Sequence, residues 1–134
     1  MAVALDADVV IAFLDAADEQ HDRAVDALRP PFAAGEQILV PASVYAEVMV
    51  RPLQRGTDTT LDEFLDAVGA HVVAIDRLVA RRAAQLRARH RSLRLPDALA
   101  LATALESSAA LVTLHQRLQR IARREAMSLP GEAG

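Results

Sequence analysis

The chain has 134 residues, 52% of them hydrophobic and 25% charged, a balance typical of one globular domain with a buried core. It contains no cysteine, which excludes disulfides and thiolate metal sites. No segment approaches the roughly 18 uninterrupted apolar residues of a membrane span. The N-terminus carries aspartates instead of the basic start of a signal peptide. We therefore expect a cytoplasmic protein that has no membrane association.

The formal net charge of −3 conceals a strong separation of charge along the chain. Residues 1–76 contain fourteen acidic residues and four arginines, whereas residues 77–134 contain four acidic residues and eleven arginines. This distribution favours an acidic site beside a basic surface that could contact phosphate groups. A solvated basic helix face is an equally good interpretation of the arginines.

Short apolar runs alternate with longer stretches of helical periodicity. The runs predict strands at residues 3–5, 38–40, 72–75 and 111–113, with residues 127–129 as a candidate fifth strand. The periodic stretches predict helices at residues 8–15, 20–29, 42–54, 60–68, 76–90, 96–107 and 116–126. Proline and glycine predict loops at residues 29–35, 55–58 and 92–96, and a flexible tail at 129–134. Strands separated by helices predict an α/β fold with a parallel sheet, here as a single domain over residues 1–134.

Three acidic residues follow the predicted strands or begin a helix near them. Asp6 ends the first strand, Glu47 lies one turn into the helix after the second, and Asp97 begins an apolar helix after Pro96. Taken singly, each is also a typical helix cap, strand-end or solvated helix residue. Together at the carboxyl edge of a parallel sheet, where ligands bind, they would repel one another. A hard divalent cation would relieve that repulsion and could activate water and neutralise charge on a phosphate.

Four segments, in order and across essentially the whole chain, resemble a PIN domain, and within that family the VapC toxins of bacterial VapBC toxin–antitoxin pairs. They are Leu5–Leu14, Ala46–Val48, Leu93–Ala104 and Leu111–Thr113, of which the Leu-Pro-Asp-Ala helix start is the most specific. The resemblance implies a three-layer α/β/α fold. It has a short central parallel sheet of four or five strands and about seven helices.

The resemblance also implies a Mg²⁺- or Mn²⁺-dependent endoribonuclease that hydrolyses RNA with a metal-activated water and leaves a 5′-phosphate. By position, Asp6 and Asp97 would ligate the metal, and Glu47 would act through water. The implied partners are RNA, a VapB-like antitoxin that holds the enzyme inactive, and a second copy of the chain. Apolar residues on the predicted helices 42–54 and 60–68 also favour a partner, although ordinary core packing explains them equally well.

One position departs from the family pattern. Two residues after Thr113, where the family usually has an acid, this chain has His115. A neutral imidazole is a poor ligand for Mg²⁺. Three alternatives stay open: Asp8 supplies the missing charge, the site prefers Mn²⁺, or catalysis is weak or lost and His115 contacts phosphate. In the last case the chain would be an RNA- or antitoxin-binding module. Thr113 and His115 are therefore auxiliary candidates, and His115 is also an ordinary polar residue at a helix start.

The arginines of the predicted helix at 76–90 and its flank are candidates for binding RNA phosphates, namely Arg81, Arg82, Arg89 and Arg94. The chain has three phenylalanines, one tyrosine and no tryptophan, so extensive stacking on RNA bases is not expected.

A haloacid-dehalogenase-like phosphatase is the main rival. Asp6-Ala7-Asp8-Val9-Val10 matches its DxDx[TV] opening, with Asp6 as nucleophile and Asp8 as general acid. That chemistry needs a lysine and a late pair of acids. This chain has no lysine, and no two acids lie close together after Asp76. A response-regulator receiver is disfavoured because it also needs a lysine.

Overall fold

The computed structural model describes residues 1–127, which contain four strands and seven helices. The strands are β1 (Ala2–Leu5), β2 (Gln37–Pro41), β3 (His71–Val73) and β4 (Ala110–Val112). The helices are α1 (Ala7–Leu14), α2 (His21–Ala33), α3 (Ala42–Arg55), α4 (Asp58–Ala67), α5 (Arg77–Arg89), α6 (Leu95–Glu106) and α7 (Gln116–Met127). Among these described residues, no helix combines the length and the apolar character that crossing a membrane would require.

The four strands form one parallel sheet in the order β3-β2-β1-β4. Strand β1 is central, and its Ala4 lies opposite Leu39 of β2 and Leu111 of β4. Because all four strands run in the same direction, their carboxyl ends meet at one edge. The predicted parallel sheet is confirmed.

Alternate residues of the strands face two different helical layers. Val3 and Leu5 of β1 belong to a core cluster shared with α1, α2, α3 and α4. Ala4 and Leu39 face the other way and contact Ala104 of α6. Helices α5 and α7 pack against α6 in a further apolar cluster. The three-layer α/β/α architecture is therefore confirmed.

The predicted loop at 29–35 is wrong over most of its length, because α2 continues to Ala33 with Pro30 and Pro31 inside the helix. Each proline removes one backbone donor, but its fixed φ suits a helix. Burial of Pro31 with the neighbouring Leu28 stabilises the last turn and outweighs the missing hydrogen bonds. Tertiary packing overrides the local signal at this site.

Two other predictions concern chain segments near helix ends. The predicted loop at 55–58 contracts to Gly56 and Thr57, because Gly56 takes the left-handed conformation with φ 73° and ends α3 there. The candidate fifth strand is wrong at Met127, the last residue of α7. Its other residues, 128 and 129, and the predicted tail at 129–134 lie outside the described residues.

Candidate active site

Asp6 lies at the carboxyl edge of the sheet, directly after β1, with 7% of its surface exposed. Its backbone N–H donates to the Val112 carbonyl of β4 at 3.0 Å, so the neighbouring strand fixes its position. Its Oδ1 accepts a hydrogen bond from the Ala7 N–H at 2.9 Å and caps α1. The residue is therefore both a helix cap and a buried carboxylate at the edge where ligands bind.

Thr113 joins Asp6 to a second carboxylate, that of Asp8 in the first turn of α1. The buried Thr113 hydroxyl lies 2.9 Å from Asp6 Oδ2 and 3.2 Å from Asp8 Oδ2. The Leu114 N–H donates to the same Asp8 oxygen at 3.1 Å, and the His115 N–H donates to Thr113 Oγ1 at 3.2 Å. A hydroxyl has a single proton to donate, so the two carboxylates compete for it.

Burial and, for Asp6, repulsion by neighbouring carboxylates raise the pKa values of Asp6 and Asp8 in this cluster. Burial raises the pKa of Asp6 to about 6, with the charge of Asp8 as the next cause and Asp97 as a smaller one. Hydrogen bonds from Thr113 and Ala7 oppose the rise without cancelling it. Burial also raises the pKa of Asp8, against the hydrogen bonds from Leu114 and Thr113. Within residues 1–127, no arginine lies within ion-pair distance of these acids.

The two other predicted acids differ in where the structure places them. Asp97 is half-buried in the first turn of α6, and its effect on the pKa of Asp6 puts it at the same edge. Glu47 is exposed on α3 and lines a groove of about 370 Å³ between α1, α3 and α4, together with Ile11 and Phe64. Within the described chain, that groove is not lined by Asp6 or Asp97. The structure thus gathers Asp6, Asp8 and Asp97, with Glu47 at a neighbouring groove.

His115 is exposed, and the described residues give its imidazole no hydrogen bond. Its charge favours the ionised form of Asp8, whose pKa it lowers slightly against the effect of burial. The segment around it is held by two residues that the sequence did not single out. Gln119 donates to the Thr113 carbonyl at 2.6 Å, and Arg23 donates to the Leu114 carbonyl at 3.3 Å. Both are ordinary polar helix residues in the sequence, so no pattern distinguishes them.

The four arginines predicted to contact RNA fall into two groups. Arg82 pairs with Glu106 at 3.0 Å, and Arg89 pairs with the buried Glu125. Arg81 and Arg94 are exposed, and within the described residues neither has an acidic partner. Arg94 directly precedes α6, three residues before Asp97.

The donor atoms of the cluster suit a hard divalent cation, because they are carboxylate and hydroxyl oxygens. Over residues 1–127, no three His, Asp or Glu side chains approach closely enough to hold a metal ion by themselves. Mg²⁺ needs no such cage, since it retains several waters and binds through one or two carboxylates. The raised pKa of Asp6 indicates negative charge that the protein leaves uncompensated. The residues present therefore fit Mg²⁺ or a similar ion.

Comparison with known families agrees with this architecture. The model of the PIN domain family matches residues 3–124, which is most of the chain. The chain belongs to the PIN domain family. The family consists of nucleases, so this PIN domain carries its acidic cluster on a nuclease scaffold. No curated protein sequence matches the chain significantly.

Solved structures share the fold of this PIN domain at low sequence identity. A toxin–antitoxin complex from Klebsiella pneumoniae is 22% identical, with a TM-score of 0.68 over 96% of this chain and 93% of that one. VapBC2 from Rickettsia felis, bound to a DNA fragment from its promoter, is 18% identical, with a TM-score of 0.70 over 90% and 93%. The sarcin–ricin-loop-cleaving toxin VapC20 from Mycobacterium tuberculosis is 14% identical, with a TM-score of 0.69 over 88% and 93%. The resemblance to VapC toxins predicted from the sequence is therefore borne out in the fold.

Proposed function

We propose that this PIN domain is a metal-dependent endoribonuclease and the toxin of a type II toxin–antitoxin pair. One observation carries the proposal: Asp6 and Asp8 share the Thr113 hydroxyl beside Asp97, and within the described residues no arginine lies within ion-pair distance of them. Such crowding is unfavourable in the protein alone and becomes favourable when a divalent cation binds. The family and the fold of toxins such as VapC20 support the same conclusion.

In this proposal, Asp6 and Asp97 would hold Mg²⁺ as direct ligands, with Mn²⁺ as a substitute. The bound cation would lower the pKa of a water molecule and neutralise charge that develops on the RNA phosphate. Thr113 orients Asp6 by donating to Oδ2, while the Ala7 N–H holds Oδ1. Glu47, on the exposed face of α3, acts through water and contributes no direct ligand.

Asp8 supplies the charge that His115 does not. Its carboxylate accepts from the Leu114 N–H and lies within reach of the Thr113 hydroxyl, so it is held at the edge where the family's fourth acid is expected. A second acid at position 115 should then strengthen Mg²⁺ binding beyond what Asp8 provides. We expect His115→Asp to raise Mg²⁺-dependent cleavage, and an unchanged Mg²⁺ titration in this variant would contradict the hypothesis that position 115 contributes to the metal site.

The proposed partners are RNA, a VapB-like antitoxin and a second copy of the chain, all in the cytoplasm. The groove between α1, α3 and α4 supports an antitoxin partner, because apolar side chains on its lining are exposed, among them Leu14 at 44% and Val50 at 53%. An amphipathic helix of the antitoxin would cover such a groove.

The deciding experiment uses protein freed of antitoxin and a structured RNA, incubated with Mg²⁺, Mn²⁺ or EDTA. We expect cleavage with either metal and none in EDTA. Asp6→Asn should lower the cleavage rate by at least about 100-fold, since substitution even of outer-shell residues of a metal site can lower activity by up to that factor. Asp26→Asn is the matched control, because Asp26 is exposed on α2 and pairs with the exposed Arg29. Cleavage that survives in EDTA or in Asp6→Asn would overturn the metal-site proposal.

The specific alternative is a catalytically inactive module that binds RNA or antitoxin. The replacement of an acid by the exposed His115 favours it. It predicts no cleavage by the wild-type protein with either metal, together with intact binding of the antitoxin. Cleavage by the wild-type protein would exclude it.

A further inference from the structure

Helix α7 carries a stripe of arginines on its outer face. Leu118, Ile121 and Glu125 point into the protein and are buried. Three exposed arginines lie at spacings of three and four residues and therefore share one side of the helix. We call Arg117, Arg120 and Arg124 the α7 stripe. It extends for about 10 Å along the helix, at 1.5 Å per residue.

The positive charge of the α7 stripe is not neutralised within residues 1–127, where no carboxylate lies within ion-pair distance of it. The acid of α7 itself, Glu125, is buried and bonded to Arg89 and His90 of the α5 end. Arg82 of α5 is likewise paired with an acid. The sequence suggested α5 as the basic surface, and in the folded protein two arginines of α5, Arg82 and Arg89, are paired with acids, whereas within the described residues none of the α7 stripe is.

The α7 stripe begins beside the acidic cluster. Helix α7 starts three residues after Thr113, and the Arg117 guanidinium donates to the Ser92 hydroxyl. Ser92 lies in the segment that leads into α6 and Asp97, where Arg91 and Arg94 are also exposed. Because Arg117 contacts Ser92, the first turn of α7 lies next to the segment that carries Arg91 and Arg94, and we treat the two groups of arginines as one basic surface. It starts next to the acids and extends away from them.

We propose that the α7 stripe, with Arg91 and Arg94, binds the backbone phosphates of a single-stranded RNA as it enters the acidic site. This inference rests on the proposed nuclease function and adds the surface along which the substrate lies. The acidic cluster repels an RNA backbone, and a neighbouring row of guanidinium groups compensates that repulsion. Arginine binds phosphate through paired N–H donors, which fix the position of the strand without reading its bases.

The test measures RNA binding separately from cleavage. All variants carry Asp6→Asn and are kept in EDTA, and the probe is a fluorescein-labelled single-stranded RNA of mixed sequence followed by fluorescence anisotropy. Arg120→Gln and the double variant Arg120→Gln/Arg124→Gln are compared with Arg29→Gln, which removes an exposed arginine from α2. Within residues 1–127, the side chains of Arg120 and Arg124 make no hydrogen bond or ion pair that these substitutions would remove. Circular dichroism melting verifies that each variant is folded.

We expect the dependence of log affinity on log salt to become shallower by about 0.7 for each stripe arginine removed, as for the loss of single-strand phosphate contacts. Affinity at low salt should fall several-fold in Arg120→Gln and further in the double variant, while Arg29→Gln keeps the slope of the Asp6→Asn protein. A double variant with the same slope as the Asp6→Asn protein would overturn the inference. The inference would also be overturned if the double variant no longer bound the antitoxin but kept the same salt dependence of RNA affinity. In that case the stripe would bind an acidic protein segment and not RNA. The binding test does not require cleavage, so it can be interpreted even if the wild-type protein does not cleave RNA. The proposal of a nuclease and the proposal of an RNA-binding stripe can therefore be refuted independently.

Discussion

Two buried carboxylates of this protein, Asp6 and Glu125, behave in opposite ways. Their exposures are nearly equal, 7% and 5%. Asp6 lies beside other acids and receives only neutral donors, and burial with the charge of Asp8 raises its pKa to about 6. Burial also acts to raise the pKa of Glu125, but hydrogen bonds and charges from Arg89 and His90 outweigh it and lower the pKa.

The comparison shows that the partners of a buried acid, more than its burial, determine what it does. Glu125 ties α7 to the end of α5 through charge-assisted hydrogen bonds and so stabilises the packing of these helices. Asp6 has no such partner in residues 1–127, and its ionisation therefore opposes folding. Acids with a raised pKa and no cationic partner, such as Asp6, cluster at functional sites, whereas acids held in ion pairs, such as Glu125, have a structural role.

Asp6→Asn should stabilise the metal-free protein at alkaline pH. The folded-state pKa of about 6 lies above the ordinary value of 3.8, so the folded protein binds this proton more tightly than the unfolded chain. The wild-type protein therefore loses stability as pH rises from about 4 to about 6, by up to about 3 kcal/mol at 1.36 kcal/mol per pKa unit. Asparagine retains the helix cap and lacks the charge, so the variant avoids this loss.

The measurement is urea unfolding in EDTA at about pH 4 and about pH 8, where the two protonation limits are sampled. The variant should be the more stable protein at the higher pH and nearly equal to the wild type at the lower one. Asp26→Asn on α2 should leave the free energy of unfolding unchanged at both. If Asp6→Asn were less stable than the wild type at about pH 8, Asp6 would resemble Glu125 and the contrast would fail.

Glu125→Gln should change the free energy of unfolding in the opposite direction from Asp6→Asn and by a smaller amount. It removes a charged acceptor from Arg89 and His90, and we expect a loss of about 1–2 kcal/mol in the free energy of unfolding near neutral pH. The loss stays moderate because half of the Arg89 side chain is exposed and can be hydrated again. Since the pKa of Glu125 is lowered in the folded state, its contribution is present above the ordinary value of 4.5 and fades as pH falls below it.

Unfolding curves at neutral and acidic pH test this prediction, with Glu63→Gln on the exposed side of α4 as the matched control. An equal loss at both values of pH would mean that Glu125 acts through packing alone. No loss at neutral pH would mean that α7 is held entirely by its apolar contacts.

The site is partly predictable from the sequence because local patterns locate strand ends. Asp6 and Thr113 directly follow short apolar runs, and the carboxyl ends of adjacent parallel strands must meet. Asp97 is found from the proline that precedes it at a helix start. Glu47 and Asp8 show the limit of this reasoning, because the position of a side chain on a helix is known only to within a turn.

Features that depend on distant contacts are not predictable in this way. Glu125 has the appearance of one more charged residue on an arginine-rich helix, and nothing local shows that it is buried against Arg89 and His90. The continuation of α2 through Pro30 and Pro31 depends on tertiary burial that outweighs local proline chemistry. The seven helices and four strands of residues 1–127 were predictable because each requires only the periodicity of its own segment.

The ion pair of Arg82 and Glu106 should contribute least to stability among the interactions compared. Its burial is intermediate. Its side chains are 22% and 26% exposed, between the buried Glu125 and the largely exposed pair of Arg29 and Asp26 on α2. A double-mutant cycle with Arg82→Gln and Glu106→Gln should give a coupling of about 0.5–1 kcal/mol, reduced at high salt. Helices α5 and α6 also pack through buried leucines, so their docking does not depend on this pair. A coupling larger than that between Arg89 and Glu125 would show that burial of the acid does not set the strength of these interactions.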